Sequence, residues 1–499
     1  YLCEYDYYFL VEMILKTGEI NINYKKRTKY EQKYYLFISD EKPLYFTSIA
    51  AASKKMNFDI LHLLLEQENV EIGDFCFYGC NLSYFSIPSC VKSIGNHAFE
   101  NCKLLKEILI PSSVTSIGYS AFSDCRSLEY ISIPSLVTSI KNNSFYYCSS
   151  LSQITIPSSL TSIENHAFYH CSSLTQITVP SSLNSIEDFA FKECSLLKQF
   201  LVYSAESSSD KSSSNSSSLG FEVFYDCSSL THVSIPSKIT IIDKCAFYSN
   251  SFLKEVLISS SVIIINDSAF SGCSSLKQII IPSLVFFIGG YAFSNCTSLT
   301  QIKIPSSVKK IKRRTFANCS SLKEIIFDEQ SSITSFGKYA FFKCSSLEKI
   351  KIPPSLEIIK RGCFAKCSAL VNITIPSSVE NIDCFTFNGC LSLEDVCLSS
   401  SLKCIQKCTF KNCVSLKRIT IPSSVEKIDS YAFANCQSLS EAIILPSNAI
   451  IEDFAFPSQT IVIQCCCIEK NEEEEENNVS TEDFARIFRE LISRHWNDF

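Results

Sequence analysis

Cysteine is the most chemically versatile residue in this 499-residue chain, which contains 27 Cys but only 6 His. Thiolates bind metal ions, form disulfides and act as nucleophiles. Most of these cysteines, however, follow a repeated pattern, because fifteen of them stand three residues after a recurrent Phe. A residue type that recurs at one place in a repeat occupies one place in the fold. We therefore interpret these fifteen cysteines as small buried hydrophobic side chains rather than as reactive groups.

Stacked repeats would place these cysteines roughly 4.8 Å apart, at the spacing of paired strands and within the Cα range of disulfides. Their Cβ atoms would nevertheless point in parallel rather than toward one another. The pattern therefore favours a ladder of reduced thiols over a ladder of disulfides. Cys465, Cys466 and Cys467 lie outside the pattern. They are the alternative candidates for a reactive or metal-binding thiol, although adjacent cysteines offer poor geometry for one metal ion.

Histidine provides one cluster with the spacing of metal ligands, His166-x-x-x-His170-Cys171. The glutamate of an H-E-x-x-H motif is missing there, and His166 occupies a variable position of the repeat, so we interpret the cluster as accidental. The chain contains no G-x-S-x-G, P-loop or G-x-G-x-x-G motif. The sequence therefore predicts no catalytic residue, no cofactor and no metal site, and the chain is not expected to be an enzyme.

Composition narrows the classes of partner. With 45 basic and 51 acidic residues the formal charge is −6, which provides no overall field to attract nucleic acid. No apolar stretch approaches the roughly 20 residues that cross a bilayer, so a transmembrane segment is not expected. The chain begins at Tyr1 rather than Met, so the sequence is silent on secretion.

The element that must position these residues is a repeat of 23 residues. Its template is L-x-x-I-x-I-P-x-x-V-x-x-I-x-x-x-A-F-x-x-C, and residues 150–171, SLSQITIPSSLTSIENHAFYHC, show it clearly. The first template position is Leu in every coil, at residues Leu82, Leu105, Leu128, Leu151, Leu174, Leu197, Leu230, Leu253, Leu276, Leu299, Leu322, Leu347, Leu370, Leu393, Leu416 and Leu439. Such a fixed period is the signature of a solenoid.

A single coil has too few apolar side chains to form a core, so the coils must stack on one another. Within a coil, Ile154 and Ile156 alternate as in a strand, and Pro157 ends the strand because proline has no N–H. We expect stacked strands to form a parallel sheet on one face. Leu160 and Ile163 are expected to line the opposite wall, and the Ala-Phe-x-x-Cys segment is predicted to close each coil with a short helical turn.

Residues 110–128, IPSSVTSIGYSAFSDCRSL, resemble the BspA-type leucine-rich repeats of surface antigens from anaerobic bacteria and parasitic protists. The resemblance covers about three quarters of the chain. It implies a leucine-rich-repeat solenoid, and it implies cell-surface adhesion or binding of a host protein, with a cell-surface or secreted location. No signal peptide is visible, so a cytoplasmic location stays open.

The segments before and after the predicted solenoid lack the 23-residue repeat. Residues 1–72 are predicted to be a helical cap, because segments 9–23, 43–52 and 58–66 resemble parts of ankyrin repeats. Residues 73–464 form the predicted solenoid. Its serine-rich insert, 204–219, is expected to be a solvated, mobile loop.

Two segments follow the predicted solenoid. Residues 465–479 are a cysteine-containing and acidic linker that includes the glutamate run 472–476. Residues 480–499 are predicted to form an amphipathic helix that begins with a capping box. This helix either covers the last coil, which we favour, or docks on a partner.

The predicted binding surface is the concave strand face, where side chains that point outward lie side by side. The candidate partner-binding residues are Gln153, Thr155, Gln176, Thr178, Gln301, Lys303, Lys349, Lys351, Asn372, Thr374, Arg418 and Thr420. A basic band overlaps this set and comprises Lys303, Lys309, Lys310, Lys312, Arg313, Arg314, Lys338, Lys349, Lys351, Lys360, Arg361 and Lys366. This band is either a solvated face or a contact for an acidic ligand, which the chain's own glutamate run 472–476 could provide.

The sequence thus favours an adhesion-type solenoid that binds a protein ligand from the host or the extracellular space. A structural or decoy repeat antigen without a defined ligand is the alternative, as is an intracellular ankyrin and leucine-rich-repeat scaffold. The oligomeric state is left open.

Overall fold

The computed structural model of the chain describes residues 35–38, 42–45, 70–203, 217–445 and 448–464. In these ranges the repeat folds as predicted into a stacked solenoid, and each coil contributes up to two strands. All strand pairs between coils are parallel and join equivalent residues, such as Ile131 with Ile154 and Ile163 with Ile186. The register follows directly from the repeat.

The x-I-x-I segment of the template forms the longer strands, whose outward surface we call the long-strand face. Five sheets make up this face, with 4, 4, 2, 2 and 3 strands. The strands are β4 (Tyr84–Ser86), β6 (Glu107–Leu109), β8 (Tyr130–Ser132), β10 (Gln153–Thr155), β12 (Gln176–Pro180), β14 (Gln199–Tyr203), β16 (His232–Ser234), β18 (Glu255–Leu257), β21 (Gln301–Ile304), β23 (Glu324–Phe327), β26 (Asn372–Thr374), β28 (Asp395–Cys397), β30 (Arg418–Ile421), β32 (Glu441–Ile444) and β34 (Ile461–Gln464).

The second residue of the second apolar pair in each coil, such as Ile163, lies on a short strand. The outward surface of these strands is called the short-strand face. They are β3 (Val70–Ile72), β5 (Ser93–Ile94), β7 (Ser116–Ile117), β9 (Ser139–Ile140), β11 (Ser162–Ile163), β13 (Ser185–Ile186), β15 (Ser218–Leu219), β17 (Ile241–Ile242), β19 (Ile264–Ile265), β20 (Phe287–Ile288), β22 (Lys310–Ile311), β24 (Ser335–Phe336), β25 (Ile358–Ile359), β27 (Asn381–Ile382), β29 (Cys404–Ile405), β31 (Lys427–Ile428) and β33 (Ile450–Ile451). Sheets of seven strands run from β9 to β20 and from β22 to β33.

The Ala-Phe-x-x-Cys segments form a third side, the turn wall, and the prediction that they are helical is wrong. They are tight turns in the described coils. The stacked Phe rings explain this, because their centroids lie 4.8 to 5.7 Å apart from coil to coil. An α-helix is about 10 Å across and does not fit at that spacing. Instead, the Phe99 N–H donates to the Ala121 carbonyl of the next coil at 2.7 Å.

In the coils from Phe75 to Asn435 the turn wall places two residues of each coil in the left-handed region, two positions before and two positions after the stacked Phe. His97 and Asn101 have φ values of 55° and 61°. Their N–H groups thereby turn toward the next coil and donate to the Tyr119 and Ser123 carbonyls at 2.9 and 2.8 Å. Backbone pairing between coils therefore determines this wall, where the sequence pattern alone had suggested a helix.

The helical cap predicted for residues 1–72 is not supported by the part of this segment that the structure describes. There, β1 (Tyr35–Ile38) and β2 (Lys42–Tyr45) form an antiparallel pair, and β1 also pairs with β3. Strand β2 overlaps the predicted ankyrin-like segment 43–52. The other predicted helices of this segment lie outside the described residues, as do the insert positions 204–216, the linker 465–479 and the C-terminal helix 480–499.

Cysteine side chains connect the coils inside the core. The Cys319 thiol is fully buried and donates to the Phe293 carbonyl of the preceding coil, with Sγ and O 3.1 Å apart. The same contact recurs at 3.0 to 3.3 Å from Cys102 to Cys436. The thiol at this position is thus a hydrogen-bond donor as well as a space-filling group.

Asn250 replaces the cysteine in one coil and makes an imperfect substitute. Its Nδ2 donates to the Phe224 carbonyl at 2.9 Å, but its Oδ1 is buried without a partner. We expect Asn250→Cys to raise the free energy of unfolding by about 1 to 2 kcal/mol, because it keeps the donor and removes the unsatisfied acceptor. Urea unfolding measures this change. In Asn250→Ala, the matched control, the donor is lost and stability should fall. A less stable Asn250→Cys protein would contradict the assignment.

Candidate partner-binding face

All twelve candidate residues are exposed. Ten of them lie on strands β10, β12, β21, β26 and β30, on the outward side of the long-strand face. The prediction that Lys349 and Lys351 also lie on a strand is wrong, because residues 348–352 belong to no sheet. Their neighbours Ile350 and Ile352 are buried, so the alternation of side chains persists there without a paired backbone. An alternating pattern thus predicts which way side chains face, and it does not guarantee a hydrogen-bonded ladder.

Neighbouring coils partly neutralise the charged candidates. Lys303 Nζ lies 2.7 Å from Asp328 Oδ1, and this lysine lowers the pKa of the aspartate chiefly by its hydrogen bond. Arg418 Nε lies 3.4 Å from Glu441 Oε2. Among the described residues, Lys349 and Lys351 form no ion pair. The positive charge available to a partner on this face is therefore concentrated at Lys349 and Lys351.

Exposed apolar side chains on the same face were missing from the predicted set. Tyr84, Leu109 and Tyr130 are 47%, 44% and 38% exposed and lie on the adjacent paired strands β4, β6 and β8. We call these three residues the apolar cluster. Leu257 and Ile280 occupy equivalent template positions farther along, and Ile280 is 84% exposed. The template itself could have identified them, since they stand at the same two outward positions as the predicted residues.

The two sides of the solenoid have similar repeat distances. The Phe rings of the turn wall are spaced by 4.8 to 5.7 Å, while paired strands lie about 4.8 Å apart. Leucine-rich repeats with helices on one side curve because a helix needs about twice that spacing. The turn wall consists of tight turns instead of helices, so this cause of curvature is absent in the described coils. The face predicted to be concave is therefore called the long-strand face.

The histidine cluster lies on the turn wall and does not converge on one point. His166 stacks on Phe189 with ring centroids 4.8 Å apart, and burial lowers its pKa. His170 Nδ1 lies 3.2 Å from Glu193 Oε2. Cys171 is buried and donates to the Phe145 carbonyl. Within the described ranges, no group of three His, Cys, Asp or Glu residues could hold a metal ion. Cys465, Cys466 and Cys467 lie outside those ranges.

The family model described as BspA type leucine-rich repeat region matches the chain in 6 copies, over residues 70–198, 217–348, 264–383 and 334–463. No curated protein matches the sequence. In the part of the chain that the structure describes, no helix is long and apolar enough to cross a membrane.

Comparison with solved structures finds several leucine-rich-repeat and surface proteins that resemble this chain. A leucine-rich repeat protein from Bacteroides ovatus is 29% identical, with a TM-score of 0.59 over 80% of this chain and 96% of that one. A leucine-rich cell surface protein from Faecalibacterium prausnitzii is 24% identical, with a TM-score of 0.35 over 76% of this chain and 90% of that one. The pneumococcal vaccine antigen PcpA is 19% identical, with a TM-score of 0.35 over 79% and 88%.

Proposed function

Because the chain belongs to the BspA-type leucine-rich repeat family, whose members are commonly protein-interaction modules or surface antigens and typically not enzymes, we propose that it is an adhesion-type solenoid whose long-strand face binds a protein. The observation that carries this proposal is the apolar cluster. Two tyrosines and a leucine are exposed on three adjacent strands, with Tyr84 and Tyr130 at the first outward position and Leu109 at the second, on a face whose outward residues are mostly polar. Tyrosine is enriched at protein interfaces, and clustered exposed apolar groups mark binding surfaces.

The dimensions of the face support a macromolecular partner. At about 4.8 Å per coil, the outward positions from Tyr84 to Ile461 extend over on the order of 75 Å. A typical protein interface buries about 800 Å² on each partner, which the long-strand face as a whole can supply. The partner we propose is a host or extracellular protein, in keeping with a cell-surface setting. Lys349 and Lys351 would add electrostatic attraction for an acidic region of that partner.

Substitution of the apolar cluster tests this function. The chain would be used to probe an array of purified extracellular protein domains, and each domain that binds would be titrated against the double variant Tyr84→Ser, Tyr130→Ser. We expect affinity to fall by roughly tenfold or more, because tyrosines at interface centres often dominate binding energy.

The matched control is Tyr119→Ser, Tyr431→Ser, which removes two similarly exposed tyrosines outside the long-strand face. We expect this control to bind within about twofold of the unmodified chain. Equal losses in the two double variants would refute the long-strand face as the binding surface. If no domain binds the unmodified chain, the alternative of a structural or decoy antigen is favoured.

A further inference from the structure

The corner between the short-strand face and the turn wall contains a ladder of side-chain acceptors. We define the corner as the two residues that follow each short strand, such as Glu187 and Asp188. The second residue accepts a hydrogen bond from the equivalent N–H of the next coil. Asp188 Oδ1 accepts from the Phe221 N–H at 2.7 Å, and Asp267 Oδ1 accepts from the Gly290 N–H at 2.7 Å. This corner N–H is therefore a demonstrated binding position for a carboxylate.

In some coils the acceptor comes instead from the first corner residue of the following coil. Asp383 Oδ2 accepts from the Arg361 N–H at 3.2 Å, and Glu452 Oε2 accepts from the Ser430 N–H at 2.9 Å. Either neighbour can thus supply the anionic or amide oxygen. A corner N–H lacks a side-chain partner only where both neighbours fail to provide one.

Among the described coils before the last, the ladder is interrupted singly at Asp267 and Lys407 and in two consecutive coils at Arg313 and Lys338. The two positions that could serve the Arg313 N–H are Gly290 and Gly337, and those that could serve the Lys338 N–H are Arg313 and Lys360. None of these side chains can accept a hydrogen bond. Accordingly, neither N–H donates to any acceptor among the described residues. The N–H groups of Arg313 and Lys338 are therefore available to a ligand, whereas the equivalent N–H groups of Phe221 and Gly290 donate to carboxylates.

Cationic side chains surround these two N–H groups. Lys310, Lys312, Arg313, Lys338 and Lys360 line an open cavity of about 310 Å³ together with Gly337. None of the five forms an ion pair with a described residue. Other lysines on the same side of the solenoid do, since Lys141 lies 2.8 Å from Glu164 and Lys427 lies 2.6 Å from Glu452. The site therefore combines excess positive charge with directed donors.

Gly337 keeps the site open. A Cβ atom at this position would lie 2.7 Å from the Arg313 nitrogen, closer than the stacking of these two coils allows. On the turn-wall side, the Arg314 guanidinium lies 5.2 Å from the Tyr339 ring and 5.8 Å from the Tyr291 ring. These cation–π contacts hold Arg314 beside the corner. The charge of its guanidinium adds to the positive potential of the corner.

We propose that this corner is a binding site for carboxylates of an acidic peptide segment, which take the place that Asp188 and Asp267 occupy in their own coils. The site is separate from the long-strand face and does not depend on the function proposed for it. Two sources present the same chemistry, namely an acidic segment of a partner protein and the chain's own glutamate run 472–476.

Fluorescence anisotropy with a labelled hexaglutamate peptide tests the site on the full chain. Arg313→Asp restores a carboxylate beside the Lys338 N–H, so we expect the peptide to bind roughly tenfold more weakly. Arg313→Asn, which supplies an amide oxygen as Asn96 does for the Tyr119 N–H, should also weaken binding. The control, Lys323→Asp, changes the net charge by the same amount at an exposed position that precedes β23, and binding should stay within about twofold.

A chain with residues 472–476 changed to glutamine distinguishes the two sources. If it binds the peptide more tightly than the unmodified chain, the glutamate run occupies the site; if its affinity is unchanged, the site serves a partner. The proposal is overturned if hexaglutamate binds neither the unmodified chain nor the glutamine chain, if Arg313→Asp and Lys323→Asp weaken binding equally, or if a sulfated oligosaccharide binds where hexaglutamate does not. Urea unfolding midpoints of the variants show whether each one remains folded.

Discussion

Replacing Phe293 by Ala is expected to lower the free energy of unfolding by about 3 to 5 kcal/mol, the usual cost of deleting a buried aromatic ring. The Phe293 ring is fully buried, and its centroid lies 5.4 Å from that of Phe270 and 5.6 Å from that of Phe316. The substitution therefore breaks the aromatic stack between two coils as well as creating a cavity. Urea unfolding monitored by circular dichroism measures the loss.

Unfolding of this variant should also become less cooperative. In a solenoid each coil contacts mainly its neighbours, so a weak coil separates the array into two parts. Hydrogen exchange should then show faster exchange in the coils next to Phe293 than in distant ones. Phe286→Ala is the matched control, because that ring is 51% exposed, and it should cost less than about 1 kcal/mol. A similarly small loss for Phe293→Ala would mean that the Phe stack is not the core.

Alkaline pH is expected to unfold the solenoid. Burial raises the pKa of thirteen ladder thiols, from Cys102 to Cys413, and the pKa reaches about 12 for Cys319 and Cys390. Below the ordinary thiol pKa of 9.0, the folded and unfolded chains are both protonated, and stability is unaffected. Above it the unfolded chain releases protons that the folded chain retains, so each thiol disfavours folding by about 1.4 kcal/mol per pH unit. The free energy of unfolding therefore falls progressively as the pH rises from 9.0 to about 12.

The slope of stability against pH is the decisive quantity. Thirteen ladder cysteines have a raised pKa, so their combined effect should unfold the chain within a narrow range above pH 9. Urea unfolding at a series of alkaline pH values measures the slope. The double variant Cys319→Ala, Cys390→Ala should be less stable at neutral pH but should lose stability less steeply above pH 9. An unchanged slope would show that the ladder thiols do not govern alkaline unfolding.

Sequence reasoning identified the solenoid because its evidence is periodic. The Leu, Ile, Phe and Cys positions repeat every 23 residues, and the side chains at Leu151, Phe168 and Cys171 are all buried. The parallel register was predictable for the same reason, since stacking equivalent coils aligns equivalent residues. The outward direction of candidates such as Gln153 and Thr155 followed from alternation along the strand.

Features that depend on contacts between coils could not be read from one coil. The Ala-Phe-x-x-Cys segment resembles a helical turn in sequence, yet the spacing of stacked Phe rings excludes a helix. The corner at Arg313 and Lys338 appeared only as part of a basic band. Its distinguishing feature among the described residues is that two consecutive corner N–H groups lack acceptors beside unpaired cations, which is recognisable only once the hydrogen bonds of the other coils are known. The apolar cluster shares its outward template positions with the predicted polar residues, and its apolar character departs from what solvent-facing positions usually carry.

Site-specific photocrosslinking tests the central claim most directly. A photoreactive amino acid would be placed at Leu109 or Thr178 on the long-strand face, at Ser162 on the short-strand face and at Glu100 on the turn wall, and each chain would be irradiated with a partner domain from the array. We predict crosslinks from Leu109 or Thr178, with little from the other two positions. Crosslinks mainly from Ser162 or Glu100 would contradict the assignment of the long-strand face as the protein-binding surface.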